Sequence, residues 1–328
     1  MASLHILPFS LNNPYALSLD KDSPFRVLAR LLSTKCPPIA GIDLSSFAGK
    51  TILITGATGG CGLECAKAFA RVGCRLILTA RGREKAGAVV NEIEAAAASG
   101  EGQTRVDVLE LDMASYESIR AFKERLEREC QSLDLAVLNA GVYSTGFSKC
   151  PETDVEEVTQ VNLLSTCAIS LLTLPLLLNG PQQSRLLLIS SEAHGWANPR
   201  QSSFPDLLKA LNEPKSYKCY ERYHISKLLL VLWTQELATR LDAGKVLVAS
   251  ASPGFTRTGL FRGFNTKTVA SLIERVVCRT VEQGAAQNLM AITRMSGEVN
   301  GGFYSDGGFR GYVCSPIQMV GTILMQVT

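Results

Sequence analysis

Short apolar runs alternate along the chain with longer segments in which apolar residues recur at helical spacing. The short runs are Thr51–Thr55 (TILIT), Arg75–Thr79 (RLILT), Val106–Leu111, Leu133–Leu138, Leu186–Ile189 and Val246–Ala249. Each has the length of a strand, and their nearly continuous apolar character suits strands covered on both faces. Between them lie a Gly-rich turn running into a helix through Arg71, a helix-like stretch from Glu84 to Ala98, and the very apolar Leu163–Leu178. Strand–helix alternation at this spacing predicts an α/β protein with one doubly wound domain, a parallel sheet with helices on both faces. No repeat, low-complexity block or Pro/Gly-rich linker divides the chain. The expected organisation is a leader over 1–49, the domain over 50–310 and an apolar tail over 311–328.

Two apolar segments raise the question of membranes. Leu163–Leu178 is shorter than the ~20 residues of a spanning helix and is interrupted by Ser165, Thr166, Ser170, Thr173 and Pro175, so a buried helix is expected. Pro24–Lys35 sets Phe25, Leu28, Leu31 and Leu32 on one helical face, with Arg26 and Arg30 elsewhere. Such a helix either packs on the domain or touches a membrane surface. The N-terminal MASLHILPFSLNNP lacks a basic region and a cleavage site, so no signal peptide is expected.

Composition narrows the partners. Apolar residues make up 46% of the chain, enough for a sizeable core, while the net charge is only +3 and no like charges cluster. Nucleic-acid binding, which needs a concentrated basic face, is not expected; a small-molecule partner is. The ten cysteines are scattered singly, the histidines are only His5, His194 and His224, and there is no N-x-S/T sequon. This pattern points to reduced thiols in a cytoplasmic protein, with the cysteines as small core residues and no metal site.

Residues 55–62 read Thr-Gly-Ala-Thr-Gly-Gly-Cys-Gly, at the first junction from strand to helix. Glycines at Gly56, Gly60 and Gly62 let the backbone turn sharply and approach a pyrophosphate, which the helix N-terminus favours electrostatically. An ordinary tight turn can look the same, so position carries the reading. The second run ends Thr79-Ala80-Arg81-Gly82-Arg83, with no acid to grip the ribose hydroxyls of NAD. Guanidinium groups there suit a 2′-phosphate, so NADP is expected over NAD.

Residues 223–227 are Tyr-His-Ile-Ser-Lys. On a helix, Tyr223 and Lys227 share a face one turn apart. A phenol titrates near 10, and a neighbouring ammonium is expected to lower that value and fit the tyrosine for proton transfer. Tyr217 and Tyr220 have no lysine four residues on.

With these motifs in order, Lys50 to Gly308 resembles the short-chain dehydrogenase/reductase family. The T-G-x-x-x-G-x-G loop, Asn139-Ala140-Gly141, Ser190-Ser191, Tyr223/Lys227 and Pro253-Gly254 carry the resemblance. It implies a Rossmann-type domain and a hydride transfer between NAD(P) and a ketone, aldehyde or alcohol. It further implies that Thr55 belongs to the cofactor loop, that Asp112 binds the adenine and that Asn139 stabilises the sheet beside the cofactor. Asn162 would hold a water behind Lys227, and Lys227 would also bind the nicotinamide ribose. Ser191 would donate to the substrate oxygen; adjacent side chains on a strand face opposite ways, so only one of the two serines can do so. Pro253, Gly254 and Thr256 would line the nicotinamide and Thr258 would reach the pyrophosphate.

Within the family the chain is most similar to the retinol-dehydrogenase-like branch, on Ser191-Glu-Ala-His194, the long gap before Tyr223 and Asn300-Gly-Gly-Phe-Tyr-Ser-Asp306. Fungal biosynthetic reductases share this layout, which places His194 in a substrate-side loop and implies a homo-oligomer. Segments 192–222 and 259–280 are the candidate pocket walls. Trp196, Phe204, Leu207 and Leu208 in the first, and Leu260, Phe261, Phe264, Val269 and Leu272 in the second, point to a bulky apolar metabolite. The alternatives are that these side chains pack loop onto domain, and that the protein is a catalytically silent dinucleotide-binding regulator.

Overall fold

The computed structural model describes residues 36–256 and 278–310, except 101 and 202. The Pro24–Lys35 segment, Thr258, Leu260, Phe261, Phe264, Val269, Leu272 and the 311–328 tail lie outside the described residues. Eight strands form one sheet: β1 (Thr51–Ile54), β2 (Arg75–Ala80), β3 (Arg105–Glu110), β4 (Leu135–Leu138), β5 (Ser184–Ile189), β6 (Val246–Ala251), β7 (Phe303–Ser305) and β8 (Gly308–Arg310). Their spatial order is β3-β2-β1-β4-β5-β6-β7-β8. All neighbours pair in parallel except β7 and β8.

Each strand feeds both faces of the sheet. Ala136 and Leu138 of β4, with Leu186 and Leu188 of β5, pack under α3 (Tyr116–Glu129), α4 (Glu157–Leu178), α5 (Phe204–Leu211) and α6 (Cys219–Arg240). Leu135, Val137, Leu187 and Ile189 face the other way, toward α1 (Gly60–Ala70), α2 (Arg83–Ala97) and α7 (Val281–Arg294). The period-2 alternation of strand side chains thus divides one apolar run between two cores, which is why these runs carry no polar face.

α4 is 22 residues long, longer than its apolar stretch suggested, and is long and apolar enough to cross a membrane by length and composition. It is instead covered by the domain, with 72% of its most apolar window buried. Its polar groups are satisfied within the fold: Trp233 Nε1 donates to Ser170 Oγ at 2.9 Å, and Thr173 Oγ1 donates to the Ile169 carbonyl. A π-helical turn interrupts it at Gln160–Ser165.

Two features depart from the strand pattern read in the sequence. β7 and β8 are three residues each and close the sheet as a hairpin, with Asp306 (φ 48°) and Gly307 (φ 86°) in its turn. Left-handed residues at both central positions match the twist of a two-residue hairpin, the use for which Asp-Gly is suited. The packed domain also reaches upstream of residue 50: Phe47 is buried edge-on against Phe69, 5.2 Å between centroids, with the Arg185 guanidinium 5.3 Å from its ring.

The chain starts at β1, proceeds outward to β3, then returns to β4 on the other side of β1. Loops leaving the carboxyl ends of β1 and β4 therefore diverge and open a crevice, the place where doubly wound sheets bind ligands.

Candidate active site

The glycine loop sits on that crevice. Gly56 adopts φ +65°, and a Cβ there would lie 2.8 Å from Ala140 Cα. A Cβ at Gly62 would lie 2.5 Å from Asn139 Nδ2 and 2.7 Å from the Gly56 carbonyl oxygen, so α1 could not dock as it does with any larger residue. Gly60 has φ 58° at the start of α1. The helix's first hydrogen bond runs from Leu63 N to the Gly59 carbonyl. The N–H groups of Gly60, Cys61 and Gly62 thus have no carbonyl partner within the helix, and they cap its positive end.

Thr55 and Asn139 form a brace beneath this loop. Thr55 Oγ1 accepts from the backbone N–H of Asn139 and of Ala140, both at 3.0 Å. Asn139 Nδ2 donates to the carbonyls of Thr55 and Gly56, each at 3.1 Å. Thr55 is 1% exposed and its hydroxyl is spent on this brace, so its side chain shapes the loop and does not face the crevice. Thr79 Oγ1 accepts from Gly56 N at 3.2 Å and fixes the loop from the β2 side. Arg81 follows as an exposed side chain just past β2. Asp112 lies past the end of β3, where its Oδ1 accepts from Ala114 N at 2.9 Å and its N–H donates to Ser118 Oγ.

Tyr223 and Lys227 are buried on α6. Lys227 Nζ lies 5.7 Å from the Tyr223 ring centroid and donates to the Ile189 carbonyl at 2.9 Å. The two adjacent serines divide as expected. Ser190 is buried, its hydroxyl donating to the Lys227 carbonyl at 2.9 Å, which locks α6 to β5. Ser191 faces the cleft, is hydrogen-bonded to the Tyr223 hydroxyl, and its Oγ accepts from Ala193 N.

The expected depression of the phenol by Lys227 does not occur in the protein alone. Burial raises Tyr223 to about 12, with the Ser191 hydrogen bond opposing it. Burial likewise lowers Lys227 to about 8. Desolvation penalises both charged forms, and the ammonium is turned to a carbonyl instead of the phenolic oxygen.

Asn162 sits in the π turn of α4. Its Oδ1 accepts from Val142 N at 2.8 Å, and its Nδ2 donates to the Val142 carbonyl at 2.9 Å and to Ser226 Oγ at 3.3 Å. Gly141 packs closely beside it: a Cβ there would be 3.2 Å from Asn162 Oδ1, tighter than an ordinary contact, and 3.5 Å from Lys227 Nζ. Residues after β6 complete the crevice: Pro253, Gly254 (φ +78°) and Thr256, whose Oγ1 donates to the carbonyls of Pro253 and Gly254.

A cavity of about 180 Å³ opens over Ser191 and Tyr223. Ser190 and Ala193 also line it, and its aromatic walls are Tyr143, Trp196, Tyr220, His224 and Phe255, with the Pro253–Thr256 turn closing it. Ring contacts run round it, from Tyr143–Tyr223 (5.4 Å) to Trp196–His224 (5.7 Å) and Trp196–Phe255 (5.9 Å). Burial holds His224 below the usual imidazole value, against an opposing Glu221, so it presents a neutral ring. Of the residues expected to wall the pocket, Trp196 does so, whereas Phe204 and Leu207 are buried in the core with Leu208 packed against it. Tyr143 and Phe255 went unnoticed in the sequence, where Tyr220 was set aside for lacking a partner lysine and His224 was named only among the histidines. The spacing of Tyr220, Tyr223, His224 and Lys227 on one helical face was the available signal for the latter two.

His194 is away from the cavity walls, its Nδ1 2.6 Å from the Ser191 carbonyl and its ring 4.5 Å from Phe303. Among the described residues no His, Cys, Asp and Glu cluster could hold a metal. The described cysteines are all free. Burial raises the thiols of Cys61 and Cys74 to about 12 and those of Cys65 and Cys167 well above normal. They are inert core side chains.

Comparison with known proteins fits this arrangement. The model of the short chain dehydrogenase family matches residues 50–204. The short chain dehydrogenase rstn4 of Aspergillus nomiae is 32% identical over 317 residues, covering 92% of this chain and 84% of the relative. The chain belongs to the short-chain dehydrogenase family. A second relative, the short chain dehydrogenase opdN of Penicillium oxalicum, is 33% identical over 297 residues, 85% of this chain and 93% of its own. A short chain dehydrogenase of Escherichia coli CFT073, crystallised in complex with NADPH, superposes with a TM-score of 0.51 at 26% identity, over 70% of this chain and 87% of that one. This short-chain dehydrogenase is therefore an oxidoreductase that acts on a small-molecule substrate with a nicotinamide dinucleotide as cofactor.

Proposed function

We propose that this short-chain dehydrogenase prefers NADP and moves a hydride between the nicotinamide and a bulky apolar ketone, aldehyde or alcohol. The observation that carries the reading is the hydrogen-bonded Ser191–Tyr223 pair, set as polar groups in a cavity wall made largely of aromatic rings. A carbonyl oxygen entering there exchanges the Ser191–Tyr223 bond for bonds to both hydroxyls.

The dinucleotide fits the residues present. The cradle at Gly62 is one that a Cβ would fill, and the first-turn N–H groups of α1, which have no carbonyl partner within the helix, suit a pyrophosphate. Gly56, Gly60 and Gly62 would hold the pyrophosphate, Asp112 the adenine, and Pro253, Gly254 and Thr256 the nicotinamide end. Thr258 is assigned with the pyrophosphate by resemblance alone. Arg81, exposed where an NAD enzyme would place an acid, would hold the 2′-phosphate. When bound, the cofactor supplies or accepts the hydride.

The chain's own residues manage the proton. Tyr223 keeps its proton in the buried pocket and delivers it from the phenolic oxygen to the developing alkoxide, while Ser191 donates a second hydrogen bond to that oxygen. Lys227, held by Ile189, places an ammonium behind the ring and binds the ribose. Asn162, which the resemblance assigns to a water behind Lys227, would support reprotonation of Tyr223 through that water. Relatives from Aspergillus and Penicillium support a place in fungal metabolism, and the inert free thiols support a cytoplasmic setting.

The test is titration of the purified protein with NADPH and NADH, followed by nicotinamide fluorescence. NADPH is expected to bind at least tenfold tighter than NADH, and Arg81→Ala to remove that difference while leaving NADH unchanged. Equal affinities in the wild type would reject the NADP preference. Absence of binding by either would reject the reading as a whole.

A further inference from the structure

Behind the cavity a buried ionic cluster joins three segments that are distant in sequence. Arg279 (5% exposed) donates from Nη2 to Asp306 Oδ1 at 2.5 Å and from Nη1 to the Pro253 carbonyl at 3.4 Å. Its backbone N–H donates to the Phe255 carbonyl at 2.7 Å, and a Cβ on Gly254 would collide with its guanidinium. Asp306 lies in the β7–β8 turn with its side chain 1% exposed, and its carboxyl is hydrogen-bonded to that of Glu192. Glu192 immediately follows Ser191, accepts from the Ser305 hydroxyl, and donates its backbone N–H to Ser252 Oγ at 3.2 Å. Ser252 Oγ also accepts from Gly254 N at 3.0 Å.

A hydrogen bond between two carboxyls requires a proton on one of them. Burial would raise Asp306, but the bonds from Glu192 and Arg279 and the guanidinium charge bring it below its ordinary value. Asp306 is thus held as the carboxylate that faces Arg279, with Arg310 at 3.6 Å from it as a second, outer cation. Buried charges of this kind are costly, and replacing them by packed apolar side chains is often stabilising. Their presence beside a cleft therefore calls for a role other than fold stability.

We propose that Arg279, Asp306 and Glu192 are positioning residues: a strap that fixes the Pro253–Thr256 turn relative to Ser191 and so sets the cofactor's nicotinamide end against the reacting hydroxyls. Both edges of the cleft hang on it. Pro253 and Gly254 rest on the guanidinium, and Ser191 is one peptide from Glu192. The hairpin of β7 and β8 supplies the anchor. Asp306 takes a left-handed conformation that asparagine also tolerates, so charge can be removed there with the backbone kept. The inference rests on the reading of this cleft as the dinucleotide site.

The test compares wild type, Arg279→Met, and the double variant Arg279→Met/Asp306→Asn, by thermal unfolding and by NADPH titration. Arg279→Met leaves a buried carboxylate with only the outer Arg310 for a partner and is expected to lower Tm and weaken NADPH binding about tenfold or more, as a displacement of about 1 Å can cost 10²-fold in function. The double variant relieves the charge imbalance and is expected to regain most of the lost Tm. NADPH binding should stay weak in it, because nothing carries the Pro253 turn. If binding recovers together with Tm, the cluster serves the fold alone and the inference fails. Wild-type protein that binds no NADPH would instead overturn the cleft's assignment, and the strap with it.

Discussion

Gly62→Ala tests the contact on which the cofactor loop is built, and two opposing effects set its size. Gly62 is helical, so alanine gains about 1 kcal/mol in intrinsic propensity and reduced unfolded-state entropy. Against this, the new methyl would lie 2.5 Å from Asn139 Nδ2 and 2.7 Å from the Gly56 carbonyl oxygen. One of these atoms is backbone, so the loop cannot yield cheaply, and the Asn139 amide must rotate away. It then loses two hydrogen bonds of 3.1 Å, to the carbonyls of Thr55 and Gly56. Each is worth about 1 kcal/mol, and a buried group left unpaired costs a further 1–3 kcal/mol. The net expectation is a loss of about 2–4 kcal/mol in stability, with weakened NADPH binding because the first turn of α1 moves. Gly59→Ala is the control: its φ is extended and a Cβ there meets nothing within 4 Å. Urea midpoints and NADPH titrations of both variants check the argument. A Gly62→Ala protein as stable as wild type, with unchanged affinity, would refute the close-contact reasoning.

Other outcomes follow from the same geometry. Tyr223→Phe should lower kcat by about 10²–10⁴-fold with NADPH affinity kept; wild-type turnover would remove Tyr223 from the chemistry. Ser191→Ala should lower kcat by about 10²-fold, whereas Ser190→Ala should cost about 1 kcal/mol of stability and little turnover, since Ser190 faces the Lys227 carbonyl. Lys227, at about 8 in the folded protein and at its ordinary 10.5 when unfolded, releases its proton first in the fold. Between those values the unfolded state holds more protons, so stability contributed by this group rises with pH. From pH 7 to 9 the gain is about 1 kcal/mol, and it should vanish in Lys227→Met when urea midpoints are compared at the two pH values. The buried thiols, raised above their unfolded value of 9, oppose this gain in the same window, but they are common to both proteins, so the difference between wild type and Lys227→Met reads Lys227.

Much of this protein is legible without coordinates because its defining features are local. A fully buried parallel strand needs apolar side chains on both faces, so β1, β2, β4 and β5 announce themselves as continuous runs. The glycine loop is equally readable, since positive φ at Gly56 and close docking at Gly62 are demands on single residues. Tyr223 and Lys227 share a helical face by spacing alone. The β7–β8 hairpin was not legible: three-residue strands carry too few side chains to set a period.

What tertiary structure decided concerns burial and long-range meeting. Extended backbone just past β5 turns Ser190 and Ser191 apart, but only the packed α6 determines that the Ser190 hydroxyl meets the Lys227 carbonyl and that Ser191 meets Tyr223. Spacing put an ammonium beside a phenol, and desolvation then pushed Tyr223 up and Lys227 down, the reverse of what proximity alone implies. Phe204 and Trp196 look alike as loop aromatics, yet one fills the core and the other walls the cavity. Glu192, Arg279 and Asp306 lie on three separate segments, and nothing in the stretches that hold them says that they meet. Their charges interact only because folding removes the water between them, and the strength of that interaction depends on a dielectric environment that no local pattern encodes.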